Sequence, residues 1–152
     1  MAESGRKIIC VNRRARFEYT ISETIEAGLV LQGTEVKSLR DGRADLKDAY
    51  ADIQEGEMFL LHAHIDQYEQ ANRFNHDPVR PRKLLLHKRE IQRLIGKTQE
   101  RGLTLIPTRM YFTHGKAKVE LGLAKGKKQY DKREDLKRRS AQRDIQRALA
   151  GE

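Results

Sequence analysis

A chain of 152 residues with 38% hydrophobic side chains can bury one core, and its 31 Lys and Arg outweigh 22 Asp and Glu to leave +9 at neutral pH. That excess suits a polyanionic partner, and it is uneven: residues 125–152 hold 10 Lys/Arg and 5 Asp/Glu. A single cysteine excludes an internal disulfide framework and a cysteine-built zinc site, and no apolar run approaches the roughly 18–20 residues that span a bilayer.

Residues 1–6 read as disordered and lack a signal-peptide apolar region, which leads us to expect a soluble chain in the reducing cytoplasm. Cys10 lies in the apolar run Ile8-Ile9-Cys10-Val11 and reads as a small buried hydrophobe. Residues 17–31 are rich in β-branched and aromatic side chains, with Tyr19, Ile21, Ile25 and Leu29 at mostly even spacing, which predicts a strand. Gly33-Thr34-Glu35 then opens a short helix, with Thr34 as its cap, Val36 and Leu39 inward, and Asp41-Gly42 as its end.

A hairpin follows. Ala49, Ala51 and Ile53 alternate with Tyr50, Asp52 and Gln54; Glu55-Gly56 turns; Phe59, Leu61, Ala63 and Ile65 alternate with Met58, Leu60, His62 and His64. Residues 69–82 form a polar loop broken by Pro78 and Pro81, and 84–86 a short strand. Ile91, Leu94, Ile95 and Thr98 make the stripe of a helix over about 87–101, which Gly102 terminates. Residues 103–112 predict a strand that Pro107 marks as an edge or a bulge. After the turn at 113–116, Ala117, Val119, Leu121 and Leu123 alternate with Lys118, Glu120 and Gly122. The pattern is mainly β: a small antiparallel OB-like barrel of about six strands with two or three flanking helices. The barrel body covers residues 1–125 and a basic tail covers 126–152.

No catalytic constellation emerges, so an enzyme is not expected, and no cofactor is implied. His62 and His64 would share a strand face, but sequence offers no third metal ligand, and a solvated face is the plainer reading. Lys125-Gly126-Lys127-Lys128 is not a P-loop, which needs a longer glycine-bounded turn opening a helix. The basic clusters say more. Asn12-Arg13-Arg14-Ala15-Arg16 packs three arginines into five residues, and Arg80, Arg82, Lys83, Lys88, Arg89 and Arg93 face only Glu90. That density suits phosphate, although any one cluster reads equally well as solubilising surface. Nine aromatics and no tryptophan leave no stacking platform for single strands, and no zinc-finger or helix-turn-helix signature is present. A folded RNA read by shape and phosphate is the class that remains.

Five strings stand in order: Asn12-Arg13-Arg14-Ala15 with Tyr19; Glu26-Ala27-Gly28-Leu29; residues 33–40; Asp77-Pro78 leading into Arg82-Lys83-Leu84-Leu85-Leu86; and residues 123–128 followed by Asp131-Lys132-Arg133. With this order and spacing the chain resembles the SmpB family, the tmRNA-binding proteins of bacterial trans-translation, from about residue 8 onward. The resemblance implies an OB-like barrel that binds the tRNA-like domain of tmRNA and enters stalled 70S ribosomes as a monomer. Its tail, which its composition leads us to expect disordered when free and helical on the ribosome, would probe the empty decoding site and messenger channel. It also implies Glu26, Leu85 and Lys118 as RNA contacts, with Asn12, Arg13 and Lys37 as further ones. Lys127, Lys128, Tyr130, Asp131, Lys132 and Arg133 would be the tail residues that meet the ribosome. Position 130 is often histidine in such tails, and Tyr130 keeps a ring able to stack. Without the resemblance, Glu26 reads as a solvated strand residue and Leu85 as a core side chain. A general ribosome- or rRNA-binding protein would share the size and charge. A membrane-surface helix would not, because Leu136 and Ile145 fall on opposite sides of any helix through the tail.

Overall fold

A computed structural model describes residues 6–70 and 75–126. The described residues open with strand β1 (Arg6–Val11) and a one-turn helix α1 (Ala15–Glu18), then β2 (Tyr19–Leu29) and α2 (Gly33–Arg40). Next come β3 (Ala44–Asp45), the hairpin β4 (Tyr50–Gln54) and β5 (Glu57–Leu61), and β6 (His64–Ile65). After a loop come β7 (Arg82–Leu85), α3 (Lys88–Arg101), β8 (Thr104–Thr113) and β9 (Lys116–Gly126).

The pairings β8–β4–β5–β7–β2–β9–β8 trace a ring of six strands, all antiparallel. The predicted strand count and orientation therefore hold. Met58, Leu60, Leu84, Met110, Val119 and Leu121 fill the ring, each at most 2% exposed, and Leu39 and Leu94 close in from α2 and α3. Glu23 on β2 anchors α3 from outside, pairing with Arg93 at 2.8 Å and Lys97 at 2.9 Å.

Several local expectations need correction. The run at 8–11 is a strand on the outer edge of β8, and residues 17 and 18 belong to a helical turn instead of the following strand. Ala15 starts that turn because its methyl is small enough to bury against Ile106 and Ala124. Gln32, not Thr34, caps α2, its amide donating to Glu35 Oε1 at 2.7 Å, while Thr34 Oγ1 meets His76 Nδ1 at 2.8 Å. The alternation beyond the Glu55-Gly56 turn does not run unbroken. Met58 and Leu60 point inward, His62 takes a left-handed φ of 60°, and the inward parity passes to Ala63 and Ile65. His62 and His64 consequently share no strand face: His62 stacks on Tyr50 and His64 pairs with Asp66. Among the described residues no cluster of His, Cys, Asp and Glu is arranged to hold a metal. Pro107 does mark a bulge, which throws Thr108 out of register with β9.

The largest correction concerns the basic run from Arg80 to Arg93. Arg82 is fully buried, its Nε donating to Glu35 Oε2 at 2.6 Å and its Nη1 to the Ala63 carbonyl at 2.6 Å. Arg80 holds the other Glu35 oxygen at 2.5 Å. Lys83 pairs with Glu57 and Arg93 with Glu23, so among the described residues only Lys88 and Arg89 of that run are exposed without an ion pair. The described residues 75–81 before β7 are correspondingly tied down. His76, 2% exposed, bridges Thr34 and the Ile65 carbonyl, and Arg82 Nη2 reaches the Pro78 carbonyl.

Candidate nucleic-acid interface

Strand β2 lies between β7 and β9, and Gly28 sits at the junction, in register with Leu85 on one side and Lys118 on the other. The missing side chain is what lets the neighbours converge. A Cβ at position 28 would stand 3.3 Å from Leu85 Cβ and 3.7 Å from Lys118 Nζ. Strand β7 alternates strictly: Arg82 and Leu84 point in, Lys83 and Leu85 point out. Leu85 is 54% exposed, which removes it from the core and places a bare apolar side chain beside an ammonium. Leu31, Val36, Leu85, Phe112 and Lys118 line a shallow cleft of about 330 Å³ over the glycine.

Glu26 lies two residues from Gly28 on the same outward parity of β2. Its Oε2 accepts a short hydrogen bond from the Tyr111 hydroxyl and stands 3.6 Å from Arg6 Nη2. Arg6 in turn lies over the Tyr111 ring, 4.6 Å from its centroid, with Arg109 at 5.7 Å. Burial, and next the Glu26 carboxylate, push the Tyr111 phenol up to about 12, so it stays a hydrogen-bond donor at any physiological pH. Tyr111 pairs with Lys118 across β8 and β9, so the buried Tyr111 lies beneath Glu26 and beside Lys118, and Lys118 in turn meets Gly28 and Leu85. Sequence reasoning singled out neither Tyr111 nor Arg6. Their link to Glu26 depends on a strand pairing that no local pattern announces.

The remaining candidates fall elsewhere. Asn12 is 8% exposed, and its side-chain amide donates to the Leu46 carbonyl at 3.2 Å and the Pro107 carbonyl at 2.9 Å. It clamps β1 onto the β8 bulge and presents Arg13, which is exposed, beside Arg109 and Glu120. Lys37 is exposed on α2 with its Nζ 5.4 Å from the centre of the Tyr68 ring. Cys10 is half-buried against the core, and burial pushes its thiol up to about 11. Lys127, Lys128, Tyr130, Asp131, Lys132 and Arg133 lie outside the described residues.

An outward face carrying a carboxylate, an ammonium and a bare leucine within one strand triplet can accept from a base edge or ribose hydroxyl, pair with a phosphate and pack on a sugar. Residues 9–151 match the model of the SmpB protein family. The chain is 64% identical over 151 residues to the SsrA-binding protein of Desulforudis audaxviator, covering 99% of each chain. It is 61% identical to the SsrA-binding protein of Geobacillus thermodenitrificans, covering 98% of this chain and 96% of that one. A solved structure described as "tmRNA-SmpB: a journey to the center of the bacterial ribosome" aligns with a TM-score of 0.67 at 53% identity. The alignment covers 79% of this chain and 85% of that one.

Proposed function

The chain belongs to the SmpB protein family, and on that premise we propose that it binds the tRNA-like domain of tmRNA and delivers it to stalled bacterial ribosomes for trans-translation. Its work is binding, carried out in the cytoplasm where those ribosomes are, and it calls for no cofactor. The observation that carries this reading is the meeting of Leu85 and Lys118 across Gly28, with Glu26 two residues away on the same outer face of β2. In this assignment Glu26 accepts from a base edge or a 2′-hydroxyl, Lys118 meets phosphate and Leu85 packs on a sugar or base. Arg13 extends the phosphate contacts and Lys37 adds a peripheral one. Asn12 supports Arg13 from inside.

RNA captured by the protein and sequenced tests the identity of the partner. Strong enrichment of tmRNA over ribosomal RNA is expected, whereas stoichiometric recovery with ribosomes that are not stalled would make the chain a general ribosome-binding protein. The affinity for the isolated tRNA-like domain should also fall linearly with salt on logarithmic axes, with a slope of up to about −0.9 per phosphate neutralised. Arg80 and Arg82 are committed to Glu35 and belong to the fold instead of that count. A flat salt response would rule out phosphate as the main source of affinity.

Lys118→Ala and Glu26→Ala should each weaken tmRNA binding by about 1.5–3 kcal/mol, the usual loss for a charge-assisted hydrogen bond. Leu85→Ala should weaken binding while leaving thermal unfolding nearly unchanged, because an exposed leucine creates no cavity when shortened. Calorimetric unfolding alongside the binding titrations checks this. A melting loss typical of a core leucine would contradict the placement of Leu85 outside the ring.

A further inference from the structure

We infer that Tyr111, with Arg6 laid over its ring, is a positioning residue for the RNA contact made by Glu26. The inference rests on the tmRNA-binding reading above. A carboxylate on a strand face ordinarily swings among rotamers and loses that freedom when it binds. Here the Tyr111 hydroxyl donates to Oε2, and Arg6 Nη2 approaches the same oxygen at 3.6 Å. Both contacts fall on one oxygen, and Oε1 carries neither. The carboxylate is thereby aimed before any ligand arrives, with Oε1 as the acceptor offered to an N–H or O–H of the RNA.

The supporting side chains are themselves fixed. Tyr111 is 1% exposed, flanked in register by Ile8 of β1 and Lys118 of β9. Arg6 caps the ring at 4.6 Å and closes the triangle back to Glu26. Arg6 also offsets part of the negative charge of Glu26 as the polyanion approaches, so the carboxylate is not simply a repulsive group on a phosphate-binding face. This accounts for the otherwise awkward choice of an acidic side chain at the centre of a basic protein's binding surface.

A double-mutant cycle with the full chain and the isolated tRNA-like domain tests the inference. Tyr111→Phe keeps the ring and its packing and removes only the hydroxyl. It should weaken binding on the order of tenfold in the wild-type background and have almost no effect in the Glu26→Ala background. The salt slope should stay unchanged, since no phosphate contact is lost. Melting of each variant, measured in parallel, confirms that folded protein is compared. Equal losses in the two backgrounds would mean that the hydroxyl acts on the fold or on the RNA directly, and the positioning role would fall. If Glu26→Ala weakens binding and Tyr111→Phe does not, the positioning inference alone fails. If Glu26→Ala itself leaves binding intact, the contact assignment fails and takes the inference with it.

Discussion

Replacing Glu35 with alanine is expected to destabilise the protein by about 3–5 kcal/mol, the usual penalty for leaving a buried charge without its partner. Glu35 and Arg82 are both fully buried and joined at 2.6 Å, and Arg80 binds the second oxygen at 2.5 Å. Removing the carboxylate strands the Arg82 Nε and frees Arg80 and the Gln32 amide at the start of α2. For a chain of this size the melting temperature should fall on the order of 10 °C. A paired change, Glu35→Leu with Arg82→Met, should cost much less than Glu35→Ala alone, since no charge is left behind. Thermal unfolding of the three proteins decides it; a loss below about 1 kcal/mol for the single variant would show that water reaches Arg82.

The same site predicts an acid-sensitive component of stability. Burial by itself would push the Glu35 carboxyl up, but hydrogen bonds from Arg80, the Gln32 amide and Arg82 outweigh it and hold it below the ordinary carboxylate range. A group whose folded value is depressed contributes stability above its unfolded value and loses it as pH falls through the folded one. Acid unfolding of the wild type should therefore include a component that Glu35→Ala lacks.

The ring itself was readable because strand alternation and turn chemistry are local. Glu55-Gly56 and His114-Gly115 announce tight turns, and all four residues adopt positive φ. What stayed hidden depends on partners far along the chain. Arg82 looks like its basic neighbours in sequence, yet its partner lies 47 positions away, and only the fold turns a phosphate-binding candidate into a core ion pair. The strand at β1 carries no polar alternation, since it lies across the outside of β8 with Ile8 and Val11 exposed. At His62 one left-handed residue passes the inward face from Met58 and Leu60 to Ala63 and Ile65. Within the candidate site, Glu26, Leu85 and Lys118 follow from family resemblance, while the meeting of Leu85 and Lys118 across Gly28 is a matter of register. Tyr111 was silent in sequence because a buried tyrosine on a strand looks like any core aromatic.

Deleting residues 127–152 is expected to leave tmRNA binding within about twofold of the full chain while abolishing the tagging of stalled polypeptides. We propose that this segment, through Lys127, Lys128, Tyr130, Asp131, Lys132 and Arg133, meets the decoding site and messenger channel. The geometry of β9 supports a division of labour. Lys118 sits near one end of that strand against Gly28, whereas Gly126 ends it against Tyr19 at the start of β2. Eight residues at about 3.4 Å each put the root of the tail roughly 27 Å from the Gly28 junction. A cut after Gly126 keeps every pairing of β2 with β9, those of Glu26 and Lys118 included. The removed segment carries 9 Lys/Arg and 5 Asp/Glu, so its loss lowers non-specific affinity at low salt, and the comparison belongs at physiological ionic strength. Binding of the tRNA-like domain and tagging in a reconstituted translation system should then separate cleanly. If the shortened chain loses most of its affinity, the RNA site extends into the tail; if it still supports tagging, the tail does not read the ribosome.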